Sequence, residues 1–69
     1  MTNSKKLKDS IKKSGYKMGY LANKLGLSRQ ALSNKINNIT DFTVKEMLTL
    51  SQILALNDEE RKEIFLTYR

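Results

Sequence analysis

The chain has 69 residues without cysteine, histidine or proline, and its 13 lysines and arginines outnumber 7 acidic residues to give a net charge of +6. This length fits one domain, and the missing residue types exclude a disulfide scaffold, a thiolate metal site and the commonest general base. The charge is uneven, because residues 1–35 hold nine basic residues and one acid, whereas residues 36–69 hold four and six. A basic half suits a polyanionic partner such as nucleic acid, although small proteins are often basic for solubility alone.

The sequence gives no sign of a membrane segment or a second domain. No apolar run approaches the ~20 residues that span a bilayer, and the N-terminal residues lack the apolar stretch of a signal peptide. No repeat, linker or low-complexity segment occurs. We therefore expect a single cytoplasmic domain over residues 1–69, without a cofactor, a bound metal or a small-molecule ligand.

Two short helices are predicted first, over residues 4–14 and 17–25, each followed directly by a glycine in the position of a helix C-cap. The first helix has an apolar stripe of only Leu7 and Ile11 among lysines. That stripe is too thin for the alternative of a helix lying on a membrane surface. The second helix has apolar residues at helical spacing, although Gly19 inside it weakens the helix by up to ~1 kcal/mol relative to alanine.

The third predicted helix begins after Ser28, a preferred N-cap whose hydroxyl accepts a hydrogen bond from a free N–H of the first turn. The helix is expected to run from Arg29 to about Asn37, with Leu32 and Ile36 facing the core. A turn is predicted at Asn37 and Asn38, because asparagine tolerates the left-handed conformation.

The fourth predicted helix begins with a capping box, formed by Thr43 and Glu46. Phe42, just before the cap, is expected to pack back near Met47 as a hydrophobic staple. The apolar face behind the cap is wide, which predicts that this helix is the most buried one. Its members are Val44, Met47, Leu48, Leu50, Ser51, Ile53, Leu54 and Leu56.

The fifth predicted helix spans about residues 57–68 and is capped by either Asn57 or Asp58. Acidic residues near its start complement the positive end of the helix dipole. No segment has the two-residue period of a strand. The sequence therefore predicts an all-α fold, a compact bundle of five helices with short connections.

Residues 21–36 have the features of a helix-turn-helix, in which two short helices are joined by a turn that begins with glycine. Ala22 is small where the second helix crosses, Gly26 reverses the chain with a positive φ, and Leu27 fills the corner between the helices. Four hydrogen-bonding residues, none of them acidic, are left exposed near the start of the second helix: Arg29, Gln30, Ser33 and Asn34.

The string LAxxLGLSxxxLS over residues 21–33 resembles the Cro and phage-repressor family of helix-turn-helix proteins. The resemblance covers residues 4 to about 56, and residues 41–65 are similar to small Cro-like regulators of Gram-positive phages and prophages. It implies a lambda-repressor-like domain of four or five helices that regulates transcription, typically as a repressor. Such proteins act as homodimers on operators with two-fold symmetry, and the second helix of the motif enters the major groove of double-stranded DNA.

The resemblance also implies roles for individual residues. Base contacts are expected from Arg29, Gln30, Ser33 and Asn34, because arginine pairs with guanine and glutamine or asparagine with adenine through two hydrogen bonds. Lys35 stands where the family favours an apolar side chain, so it either faces the DNA backbone or extends along the protein surface. The phosphate contacts are expected from five lysines: Lys6, Lys13, Lys17, Lys24 and Lys35.

The C-terminal segment 64–68 suggests where a homodimer would form. Four of its five residues are apolar or aromatic, and one helical face cannot bury them all in so small a domain. The surplus would form an exposed apolar patch, which often marks an interface. The predicted dimer interface is Ile64, Phe65, Leu66 and Tyr68, and the alternative is that these residues only close the core.

Three other functions compete with a DNA-binding regulator. The first is an antirepressor or modulator that uses the same fold to bind a protein partner, since fold does not fix function. The basic half argues against it, because a module that binds only protein does not need nine positive residues around one acid. The second is an antitoxin that binds both DNA and a toxin. The third is an enzyme, which we do not expect because histidine, cysteine and paired carboxylates are missing.

Overall fold

A computed structural model describes residues 1–65, and these residues fold into five α-helices. The all-α fold class is confirmed, and within residues 1–65 the only β pairing is an isolated antiparallel bridge between Thr2 and Phe65. None of the helices in this range is long and apolar enough to cross a lipid bilayer. The helices are α1 (Ser4–Ser14), α2 (Met18–Leu25), α3 (Arg29–Ile36), α4 (Val44–Ile53) and α5 (Asp58–Ile64).

Side-chain caps start the last three helices where the sequence predicts them. The Ser28 hydroxyl accepts a hydrogen bond from the Ala31 N–H at 3.0 Å, and Thr43 and Glu46 form the predicted capping box of α4. The choice left open for α5 is resolved in favour of Asn57, whose side chain accepts from the backbone N–H of Glu60 while the Glu60 carboxylate accepts from the Asn57 N–H. The helix starts are therefore fixed by local hydrogen bonds that satisfy otherwise unpaired N–H groups.

Four helices end with a residue in the left-handed conformation, the first of them α1 at Gly15 (φ +77°). Gly26 has φ +70° after α2, and the next N–H, that of Leu27, donates to the Ala22 carbonyl at 2.8 Å. The same geometry recurs at Asn38 (φ 63°), which confirms the turn predicted after α3, and at Ala55 (φ 54°) after α4. Glycine and asparagine tolerate this conformation, whereas the Cβ of alanine is strained in it.

Replacing Ala55 by glycine is therefore expected to stabilise the protein by about 1 kcal/mol, because the strain of a left-handed alanine is removed. The measurement is the free energy of unfolding in urea. Ala31→Gly provides the matched control: the same change in the first turn of α3, where the backbone is helical, is expected to cost up to about 1 kcal/mol. Equal losses from both substitutions would contradict the assignment of strain to Ala55.

The core lies between all five helices. α2 packs against α3 and α4, and α1 packs against α3 and α5. Each helix contributes between one and three buried residues, which lie on one face of the helix as the amphipathic patterns predict. The largest side chains that are fully enclosed are Phe65, Leu7, Leu21, Leu32, Leu50 and Ile64.

The wide apolar face predicted for α4 is only partly buried. Val44 is 61% exposed and Leu48 39% exposed, one turn apart on the outer side of the helix. Ser51, another member of the predicted face, is buried, and its hydroxyl donates to the Met47 carbonyl at 2.6 Å. A helix at the surface of a small domain buries one stripe of its circumference, so some members of a wide apolar face remain exposed. Phe42 does join Met47 in the core.

The C-terminal prediction needs correction. Helix α5 ends at Ile64 rather than extending to about residue 68 as predicted, and Phe65 leaves the helix with φ −99° and ψ 82°. Ile64 is 2% and Phe65 1% exposed, so both side chains are enclosed by their own chain rather than offered to a dimer partner. The Phe65 ring packs edge-to-face on Phe42, with ring centroids 5.5 Å apart. Leu66 and Tyr68, the other predicted interface residues, lie outside the described residues.

Candidate nucleic-acid interface

Helices α2 and α3 form a pair joined by three residues, 26–28, and their contact buries Leu21, Ala22 and Leu32. Because α3 buries only one stripe, its opposite face is left at the surface. Gln30 is exposed there, and Ser33 and Asn34 are half-buried. Three of the four predicted base-contacting residues therefore share one accessible face of a single helix.

Side-chain amides dominate this face. The Gln30 side-chain N–H donates to the Asn34 Oδ1 at 2.9 Å. One turn further on, the Asn37 side-chain N–H donates to the Ser33 carbonyl at 3.0 Å and lies 3.3 Å from its hydroxyl. The remaining amide donors and acceptors of Gln30 and Asn34 are free to bond a partner, and an amide offers a donor and an acceptor side by side.

Arg29 lies apart from the amide pair. Its guanidinium crosses the backbone of α2 at Gly19, where a Cβ built on the glycine would meet Nε and Nη2 at 2.9 Å. The glycine that weakens α2 in the sequence thus makes room for an arginine from the next helix. A lone glycine in a helix signals close approach of some group, but the sequence does not say which one.

Lys8 and Lys12, which are not among the contacts predicted from the sequence, lie beside the accessible face of α3. They line an apolar groove between α1 and α3 together with Ser33 and Asn37. The groove has a volume of about 220 Å³. The two lysines are four residues apart and therefore point to the same side of α1, which is the signal that could have grouped them.

Lys6 and Lys13, two of the lysines predicted to contact phosphate, lie on the other side of α1, beside acidic residues of α5. Lys6 Nζ lies 3.4 Å from the Glu63 carboxylate of α5. Lys13 lines the same depression as Glu60 and Glu63. Facing carboxylates reduce the attraction of these lysines for a polyanion, because a phosphate near them would meet like charges.

Lys35, also predicted to contact phosphate, is bonded within the protein. Its Nζ lies 2.9 Å from Glu46 Oε1 and donates to the Asp41 carbonyl at 2.9 Å. The two charged side chains are only 14% and 15% exposed. Burial alone raises the pKa of Glu46, but hydrogen bonds from Lys35 and the Thr43 N–H, with the charge of Lys35, bring it below its ordinary value of 4.5.

The exposed side of α2 and of the turn before it carries two tyrosines that the sequence analysis also missed. The rings of Tyr16 and Tyr20 are stacked, with centroids 5.0 Å apart and planes at 15°. Lys24 Nζ lies 5.5 Å from the centroid of the Tyr20 ring. The spacing of four residues between Tyr16, Tyr20 and Lys24 was the available signal. Lys17 is exposed at the start of the same helix.

The end of α3 is held in place by the first residues of the chain. The Asn38 side chain accepts from the Thr2 N–H and donates to the Thr2 carbonyl, both at 2.8 Å. The N–H of Asn3 donates to the Ile64 carbonyl at 2.7 Å. The end of α3 and the end of α5 are therefore joined through residues 2 and 3, which fixes the angle at which α3 presents its accessible face.

The described residues offer little for metal chemistry, since residues 1–65 contain no group of three or more His, Cys, Asp or Glu side chains that could hold an ion. The candidate site is instead an accessible helix face with lysines on one side and an aromatic, cationic surface on the other. No protein-family model matches the chain, and neither a curated protein nor a solved structure matches it.

Proposed function

We propose that this protein is a sequence-specific regulator of transcription that binds double-stranded DNA, with α2 and α3 as a helix-turn-helix and α3 in the major groove. The observation that carries the proposal is the accessible face of α3. It groups Gln30, Ser33 and Asn34, and Lys8 and Lys12 lie along its edge. The lining of that groove contains no carboxylate among the described residues.

The dimensions support a major-groove site. Helix α3 has eight residues, and an α-helix with its side chains is about 10–12 Å across. The major groove is about 12 Å wide and admits one α-helix. A side-chain amide such as that of Gln30 or Asn34 can pair with N6 and N7 of adenine through two hydrogen bonds. Because the Gln30 amide already bonds Asn34, the two are pre-organised as a unit.

The distribution of charge supports a defined orientation on DNA. The first turn of α5 carries three acidic residues, Asp58, Glu59 and Glu60, and α5 packs against α1 on the side away from the Lys8 and Lys12 groove. A polyanion is attracted to one side of the molecule and repelled from the other. The protein would therefore approach DNA with α3 leading.

The proposal includes a homodimer on a two-fold symmetric operator. One recognition helix covers few base pairs, and half-sites about 34 Å apart, one turn of DNA, would be contacted by two copies. With Ile64 and Phe65 in the core, these two side chains do not supply the contact between copies. A role as a repressor, and a cytoplasmic location on bacterial DNA, follow from the same proposal.

A pair of charge-matched variants tests the side of α1 that faces DNA. Lys8→Ala with Lys12→Ala and Lys6→Ala with Lys13→Ala each remove two positive charges from α1. The first pair is expected to lower the slope of log affinity against log salt concentration by about 1–2, because each lost phosphate contact contributes about 0.9. The second pair is expected to leave the slope nearly unchanged. Fluorescence anisotropy with labelled duplexes measures both.

Each outcome of this titration has a clear meaning. Equal effects of the two pairs would show that only net charge matters, which contradicts the placement of α3. Failure of the unsubstituted protein to bind any duplex at low salt would overturn the proposed function. That result would favour the alternative in which the same fold, as an antirepressor or antitoxin, acts mainly on a protein partner.

A further inference from the structure

One surface of α2 is not used by the proposed contacts of α3. It consists of the stacked rings of Tyr16 and Tyr20, which are 41% and 45% exposed, and of Lys24 over the Tyr20 ring. More than two fifths of each tyrosine stays in contact with solvent, so the stacked pair is accessible to a partner. The stacking gives two phenol hydroxyls and an ammonium group ordered positions at the surface.

Arg29 completes the surface from the neighbouring helix. Its guanidinium lies against Gly19, so the side chain is directed across α2 and away from the Gln30 and Asn34 amides. Arg29 and Lys17 line one open depression together with both tyrosines, and the lining contains no carboxylate among residues 1–65. We call this set the α2 surface, and it consists of Tyr16, Lys17, Tyr20, Lys24 and Arg29.

We infer that the α2 surface binds the phosphodiester backbone of the DNA strand beside the groove occupied by α3, so that Arg29 contacts a phosphate and not a base. This inference rests on the proposed function and revises the base contact expected of Arg29. A guanidinium presents parallel N–H donors that match two phosphate oxygens. Phenol hydroxyls and ammonium groups are also common phosphate donors in protein–DNA contacts.

The positioning of Arg29 depends on the absence of a side chain at residue 19. A methyl group there would come within 2.9 Å of the guanidinium nitrogens, and a flexible arginine would move away. Gly19→Ala therefore displaces the guanidinium that is proposed to bind a phosphate, and it does so without disturbing the core. The same substitution favours the helical state of α2, because alanine is the best helix former and glycine among the worst.

Gly19→Ala separates a binding role from a structural one. The melting temperature is expected to rise by a few degrees, about 4 °C, while the slope of log affinity for duplex DNA against log salt falls by about 0.9. Lys62→Ala, which removes an exposed cation of α5, is the control and is expected to leave the slope unchanged. A variant that is more stable and keeps the full slope would overturn the inference.

Selection of duplexes from a random pool distinguishes a phosphate contact from a base contact. Arg29→Ala is expected to weaken all duplexes by the same factor and to leave the selected sequence unchanged, whereas Gln30→Ala is expected to change it. Tyr16→Phe with Tyr20→Phe keeps the stacked rings, removes both hydroxyls, and should weaken all duplexes about two- to tenfold. A new selected sequence for Arg29→Ala would overturn the inference.

Single-stranded DNA is the other source of phosphates and is a separate arm of the experiment. If the tyrosine variants weaken binding to one strand alone more than binding to the duplex, the α2 surface serves single strands and the inference is wrong. If the unsubstituted protein binds no duplex at all, the proposed function itself fails. If it binds duplex and the Gly19, Arg29 and tyrosine variants match it, only the inference fails.

Discussion

Phe65→Ala is expected to lower the free energy of unfolding by about 3–5 kcal/mol, the usual cost of removing a buried aromatic ring. The side chain is 1% exposed, and its ring packs edge-to-face on Phe42. A domain of 69 residues has a total stability of about 3–10 kcal/mol. The variant should therefore be largely unfolded at 37 °C, as measured by circular dichroism in a urea titration.

A control variant at the surface shows whether the loss of stability in Phe65→Ala comes from its place in the core or from the removal of any apolar side chain. Ile39 is exposed in the connection after α3, and Ile39→Ala is expected to change stability by less than about 0.5 kcal/mol. The opposite pattern for Phe65→Ala, full stability with a change from dimer to monomer in sedimentation, would return this residue to the interface predicted from the sequence.

The helix boundaries were predictable because their signals are local. Ser28, Thr43 and Glu46 act within one turn of their own position, and the left-handed turns at Gly26 and Asn38 follow from the residues that occupy them. Such interactions need no knowledge of the rest of the chain. The turn at Ala55 has the same geometry but was not predicted, because alanine gives no signal for a positive φ.

The errors concern the partners of residues that are distant in sequence. Nothing near Phe65 shows that it pairs with Thr2, which is at the other end of the chain. The lysines of α1 alternate between two sides, and only the position of the acidic α5 decides which side is paired. Lys35 looks like a surface lysine until the fold brings it to Glu46. Periodicity gives the inward face of a helix but not its neighbours.

The candidate site likewise combines features that follow from local sequence with features that depend on contacts between helices. The amides of α3 were predicted because they lie on the helix face opposite Leu32 and Ile36. The crossing of Arg29 over Gly19 was not, because it depends on the angle between α2 and α3. That angle is set by the buried contact of the two helices and is not encoded in either helix alone.

Lys35→Met is expected to destabilise the protein by about 2–3 kcal/mol at neutral pH, somewhat less than the cost of breaking a fully buried ion pair. Methionine keeps much of the volume of the lysine stem but removes the charge. The Glu46 carboxylate, 15% exposed, then loses the ammonium group 2.9 Å away, and the Asp41 carbonyl loses its donor. Urea unfolding at a series of pH values measures the effect.

The pH dependence of the unfolding free energy shows whether the unpaired charge of Glu46 causes the loss of stability in Lys35→Met. Folding lowers the pKa of Glu46 below its ordinary value of 4.5, so the unfolded chain takes up a proton at a higher pH than the folded one. The stability that the pair contributes is therefore complete above about pH 5 and is lost as the pH falls through the folded pKa. The gap between the unsubstituted protein and Lys35→Met should shrink over that interval. A gap that stays constant down to about pH 3 would assign the effect of Lys35 to packing.

Glu46→Gln provides the matched control, because its amide oxygen still accepts the capping hydrogen bond from the Thr43 N–H while the charge is removed. Combined with Lys35→Met it should recover part of the lost stability, since no unpaired charge remains beside α3. A double variant as unstable as the sum of the two single ones would show that Lys35 and Glu46 do not act on each other. Recovery would establish that the ion pair between Lys35 and Glu46 couples α3 to α4.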